Sequence, residues 1–62
     1  MDKLTLKAIR VNKGLTQKEA AEDIGISDRA LSLYEQGKRI PRWDMLKRII
    51  DYYGVSIESV DI

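Results

Sequence analysis

Apolar residues recur along this chain at the three- and four-residue spacing that lines one face of a helix. They run as Leu6 and Ile9 with the stem of Arg10, then Ala20, Ala21 and Ile24, then Ala30, Leu31 and Tyr34, then Leu46, Ile49, Ile50 and Tyr53. No segment keeps the strict alternation of a half-buried strand. Gly14, Gly25, Gly37 and Gly54 each stand just past one of these runs, where a glycine closes a helix. Thr16, Ser27 and Ser56 follow three of them, each with a side-chain oxygen that can accept from the free amides of a new helix. Thr16-Gln17-Lys18-Glu19 fits the capping box, which starts the second helix at Gln17. The pattern predicts five helices, 3–13, 17–24, 28–36, 42–53 and a short one from 57, with Pro41 pre-setting the first turn of the fourth. The expected fold is therefore all-α, one compact five-helix domain over residues 1–62.

The second and third helices are separated by only Gly25-Ile26-Ser27. That spacing suits a helix-turn-helix unit over 17–36, and a plain helical hairpin in a small bundle has the same spacing. Gly25 permits the reversal, Ile26 plugs the angle between the helices, Ala21 is small enough for close approach, and Ser27 caps the third helix.

Composition narrows the picture. Sixty-two residues sit near the lower size limit for an unstapled domain, and with no cysteine or histidine there is neither a disulfide nor the usual set of zinc ligands. The core must be hydrophobic, and no metal or cofactor is expected. An enzyme is disfavoured by the same missing residues, by the lack of a phosphate-cradling glycine loop and by the small volume left for a substrate pocket. Neither a membrane-length apolar run nor a secretory start is present, so a cytoplasmic location is expected, with no membrane partner and no small-molecule substrate.

Net charge is only +1, which does not itself point to nucleic acid. Its distribution is uneven: residues 1–15 carry +3, 16–35 carry −3, 36–48 carry +4 and 49–62 carry −3. If the fold brings the two basic segments onto one side they form a phosphate-facing rim; ordinary solvated helix faces would leave the same counts.

An ordered set of residues spans nearly the whole chain: Leu6, Ile9, Arg10, Gly14-Leu15-Thr16-Gln17, Glu19-Ala20-Ala21, Ile24-Gly25-Ile26-Ser27, Leu31, Tyr34-Glu35-Gln36-Gly37-Lys38-Arg39, Pro41, Leu46, Ile49 and Gly54-Val55-Ser56-Ile57. In this the chain resembles the lambdoid phage repressor and Cro-like helix-turn-helix proteins, the xenobiotic-response-element group. The resemblance implies a lambda-repressor-like domain that regulates transcription, typically as a repressor, with its third helix in the major groove of double-stranded DNA. It also implies a homodimer, at least on DNA, over a two-fold-related operator.

Residue by residue, the resemblance implies base contacts from Ser27, Asp28, Arg29, Ser32 and Leu33, and phosphate contacts from Gln17 and Lys18 at the start of the second helix and from Lys38, Arg39 and Arg42 in the loop after the third. Arg29 has the planar fork that pairs with guanine O6 and N7, though a phosphate contact or a local ion pair would use the same side chain. Asp28 suits either the positive end of its helix or a cytosine amino group, and Leu33 a thymine methyl, a protein contact or packing against Trp43. Arg10 and Glu35 are implied to form a structural ion pair. Trp43, Met45, Tyr52 and Tyr53 read as core and interface material rather than a base-stacking platform. In this family the place of Ile57, Val60 and Ile62 often contributes to a dimer contact. Asp28, Leu33 and the low net charge keep a rival open: a protein-interaction module or an antitoxin on the same fold.

Overall fold

Four short polar side chains begin the local structure. In the computed structural model, which describes residues 3–61, Thr5 Oγ1 accepts from Ala8 N (3.1 Å) and Ser27 Oγ from Ala30 N (3.0 Å). Thr16 and Glu19 exchange backbone-to-side-chain bonds of 3.0 Å each, a complete capping box. Ser56 Oγ accepts from Glu58 N at 3.3 Å. Each satisfies an amide that a helix start leaves unpaired.

The elements run β1 (Leu4–Thr5), α1 (Leu6–Asn12), α2 (Gln17–Ile24), α3 (Asp28–Glu35), α4 (Trp43–Tyr53), a single 3-10 turn (Ile57–Ser59) and β2 (Val60–Asp61). The expectation of an all-α, five-helix domain is corrected on two points. The segment from Ile57 makes one tight turn and then extends, so the described residues hold four α-helices. Its extension pairs in parallel with the start of the chain, Leu4 opposite Val60 and Thr5 opposite Asp61. This pairing also moves the start of α1 from residue 3 to Leu6, because Thr5 serves as its cap. A two-residue strand has no periodicity to read, and a β-branched valine is comfortable in it.

Arg42 rather than Pro41 borders α4: it is the N-cap and makes no side-chain capping bond, while buried Pro41 precedes it and biases the chain away from helix there. The core comprises Leu6, Ile9, Ala20, Ala21, Ile24, Leu31, Leu46, Ile49, Ile50, Tyr53 and Val60. Ala20 and Ala21 have no exposed surface, so α2 lies directly against its neighbours α3 and α4. Half-buried Ile26 closes the angle between α2 and α3. The reversal there depends on Gly25, at φ +92°, a left-handed conformation that a side chain would strain.

Two polar links join α4 to α2. Arg48 donates to the carbonyl of Ile24, the last residue of α2, placing a cation at the negative end of that helix. Tyr52 donates to Asp23 Oδ2 at 2.7 Å, a bond that holds the Tyr52 hydroxyl above its ordinary pKa. Arg48 was not singled out from sequence, since its target is a backbone carbonyl 24 positions away.

Candidate nucleic-acid interface

Helix α3 turns Leu31 fully into the core, which sends another set of its residues outward. At about 100° per residue, Asp28, Arg29, Ser32, Leu33 and Gln36 fall within an arc of about 140° on the side away from Leu31 and Tyr34. Asp28, Arg29 and Gln36 are exposed, while Ser32 and Leu33 are half-buried. Ser27, at the head of the helix, is exposed, although its Oγ is committed to the cap. Gln36 Nε2 donates to Ser32 Oγ (2.7 Å) one turn back. That bond occupies an acceptor position on Ser32 and leaves its hydroxyl proton free to donate outward.

The ion pairs among the described residues are Arg10 with Glu35 and Lys47 with Asp51. Arg29 is in neither, so its guanidinium carries five donors free for another molecule. Lys38, Arg39 and Arg42 in the loop after α3, and Lys18 on α2, are likewise exposed and outside any ion pair in the described residues. Arg39 lies over the Tyr34 ring, 5.9 Å from its centroid, an arrangement that steadies the base of this loop. The loop turns through Gly37, with Lys38 N and Arg39 N both donating to the Leu33 carbonyl (3.0 and 3.3 Å). The Leu33 carbonyl thus ties the loop to α3.

At the start of α2 the capping box engages the amides of Thr16 and Glu19, so those of Gln17 and Lys18 remain in the first turn, pointing outward at the positive helix end. The Gln17 side chain is half-buried and donates one amide hydrogen to Glu35 Oε1 (3.1 Å). Sequence reading assigned it to a phosphate and missed this internal bond; its second amide hydrogen stays available.

Glu35 anchors α3 to α1. Arg10 Nε donates to Oε2 at 2.8 Å and Nη2 to Oε1 at 3.1 Å, a two-pronged pair with side chains only 10% and 2% exposed. Arg10 Nη1 donates to the Leu15 carbonyl at 2.8 Å. The hydrogen bonds to Glu35 hold the Arg10 guanidinium above its ordinary pKa. Beside this pair Tyr53 is 1% exposed and its hydroxyl has no hydrogen-bond partner among the described residues. Burial, with the Glu35 charge nearby, pushes that hydroxyl up to about 12.

Residues 6–60 match the family model described as helix-turn-helix, which is nearly the whole chain. The chain belongs to the helix-turn-helix family. Its relatives are of the xenobiotic-response-element type, the Cro and phage-repressor branch of that family. It is 43% identical over 53 residues to the HTH-type transcriptional regulator ImmR of Bacillus subtilis, covering 86% of this chain and 42% of the relative. To the HTH-type transcriptional activator BcrR of Enterococcus faecalis it is 36% identical over 55 residues, covering 89% and 27%. To the cryptic phage CTXphi transcriptional repressor RstR of Vibrio cholerae it is 31% identical over 55 residues, covering 89% and 50%. The chain therefore spans half or less of the length of these three relatives. No solved structure gives a significant match.

The helix-turn-helix domain leaves the dimer-contact expectation at the chain end in a different position. Val60 is 3% exposed and belongs to the core, and Ile57 is half-buried against it, so neither is an open apolar surface; Ile62 lies outside the described residues. Tyr53 is core as expected, but Trp43 is 62% exposed at the first turn of α4. Among the described residues no helix is long and apolar enough to cross a membrane.

Proposed function

We propose that this helix-turn-helix domain binds double-stranded DNA sequence-specifically as part of a cytoplasmic transcription regulator, most simply a repressor, with α3 in the major groove of a two-fold-related operator. The observation that carries the reading is the outward arc of α3 holding Arg29, in no ion pair among the described residues, followed by a loop whose three cations are likewise in none. Ser27, Asp28, Arg29, Ser32 and Leu33 meet base edges. Gln17, Lys18, Lys38, Arg39 and Arg42 grip phosphates on either side, the first two with help from the free amides and dipole of α2. Arg29 supplies the sharpest discrimination, a bidentate guanine contact worth about 1–3 kcal/mol. Asp28, in the first turn of α3, favours that helix end electrostatically.

The test is selection of bound sequences from a random duplex library at moderate salt, repeated with Arg29→Ala and Lys38→Ala. The expected result is an enriched two-fold-related motif that loses preference at one position per half-site with Arg29→Ala. Lys38→Ala should weaken all sequences about equally and flatten the salt dependence by about 0.9 in log-log slope for each phosphate released. No enrichment from folded protein would refute DNA reading and favour the protein-interaction or antitoxin reading that Asp28 first raised.

A further inference from the structure

α3 ends at Glu35, and the next residue, Gln36, keeps right-handed helical backbone at φ −81°, ψ −7°. Two bonds tie it to Ser32, one turn back. Gln36 N donates to the Ser32 carbonyl (3.0 Å) and Gln36 Nε2 to Ser32 Oγ (2.7 Å). The residue is nonetheless exposed, in the same outward arc as Arg29. Its Oε1 and its second amide hydrogen are in no hydrogen bond among the described residues.

We infer that Gln36 is a further base-reading residue, that the base it reads is adenine, and that Ser32 positions it. The inference rests on the DNA-binding reading above and names a contact which that reading lacks. A free glutamine must freeze three torsions to meet a base; here the bond to Ser32 holds them before DNA arrives. With one amide hydrogen given to Ser32, the groove faces one acceptor and one donor on a single plane. Adenine sets an N6 donor beside an N7 acceptor in the major groove, the complement of that pair. Guanine sets two acceptors there, so its O6 would meet Oε1; thymine has an acceptor and a methyl, and cytosine a donor alone. Phosphate oxygens only accept, which would leave Oε1 facing negative charge.

Helix geometry fixes the register. Arg29 and Gln36 are seven residues apart. At about 100° and 1.5 Å per residue they stand about 20° apart around the helix and about 10 Å apart along it. Bases of one strand follow at about 3.4 Å, so a helix lying along the groove sets Gln36 about three base pairs from the guanine of Arg29.

The random-duplex selection is run on wild type, Gln36→Ala, Gln36→Glu and Ser32→Ala, each shown to be folded by circular dichroism. Expected in the wild-type motif is an adenine about three base pairs from the position that Arg29→Ala erases. Gln36→Ala should flatten that position alone, costing about five- to 150-fold on the adenine-bearing site. Gln36→Glu keeps the acceptor and loses the donor, and should turn the preference to cytosine. Ser32→Ala should weaken the adenine preference without changing its direction. Equal weakening of all sequences by Gln36→Ala would make it a phosphate contact, and an unchanged motif would make the Ser32 bond a helix-end tie; either overturns the inference. A wild type that enriches no motif refutes the DNA reading and this inference with it, whereas a motif indifferent to Gln36 refutes this inference alone. The hold itself is read without DNA. The side-chain amides of the chain are those of Asn12, Gln17 and Gln36. In a nitrogen–proton correlation spectrum Ser32→Ala should shift the Gln36 pair and speed its exchange while leaving the Gln17 pair in place. An unmoved Gln36 pair refutes the positioning role of Ser32.

Discussion

Replacing Glu35 with alanine strips the Arg10 guanidinium of both its carboxylate bonds, 2.8 and 3.1 Å, and leaves the Gln17 amide without its acceptor. Only the bond to the Leu15 carbonyl remains. Because the two side chains are 10% and 2% exposed, water cannot readily take the place of the lost carboxylate. Truncating one side of such a buried pair costs about 3–5 kcal/mol. A domain of this length has about 3–9 kcal/mol of stability in total, so the variant should be partly unfolded at 25 °C. In thermal unfolding followed by circular dichroism its Tm should fall by roughly 15–30 °C. A fall of less than about 5 °C would refute the reasoning and mean that the pair is solvated in solution. The companion chain, Arg10→Met with Glu35→Leu, separates the cost of an orphaned charge from the worth of the pair. It should recover most of the loss, since a buried ion pair replaced by apolar side chains of similar volume is often neutral or stabilising.

Four further substitutions probe other features. Tyr53→Phe removes a buried hydroxyl that has no partner among the described residues, so urea unfolding at pH 7 should show unchanged or slightly raised stability, by up to about 1 kcal/mol. The same variant should resist alkali: with the folded hydroxyl pushed up to about 12, the wild type keeps its full contribution below the unfolded value near 10 and loses it, at about 1.4 kcal/mol per pH unit, as pH rises toward 12. Thr16→Ala breaks the capping box at Glu19 N and should cost about 1 kcal/mol in denaturant unfolding. The Thr16 amide holds the Glu19 carboxyl below its ordinary range, so the stability that carboxylate adds is present above the unfolded value and lost as pH falls through the folded one; Glu19→Gln should flatten that acid limb. Gly25→Ala forces a side chain into a φ of +92° and to 2.8 Å from Arg48 Nη2. Denaturant midpoints should show a loss of about 1–2 kcal/mol, with the arginine displaced from the Ile24 carbonyl.

The middle of the fold was legible because its signals are local. A helix start needs an acceptor within three residues and a helix end needs a left-handed residue next to it, so Thr16 with Glu19, Ser27, and Gly25 mark both ends of α2 and the start of α3 to the residue, while α3 ends at Glu35, one residue short of the expected 36. Hydrophobic period identified the core-facing side of each helix, and a resemblance spread over the whole chain tied Arg10 to Glu35. What tertiary structure decided depends on residues far apart in the chain. Val60 became core and a strand because Leu4 stood opposite to pair with it, which turned an expected fifth helix into one turn and an extension. Gln17 turned inward because Glu35 Oε1, which already accepts from Arg10 Nη2, has a second lone pair to accept with, and Arg48 found its carbonyl only once α4 lay against α2. Trp43 sat at helical spacing and read as core and interface material, yet the structure leaves it 62% exposed. Periodicity reports which residues share a helix face; how far a neighbouring element extends over that face is set by packing alone.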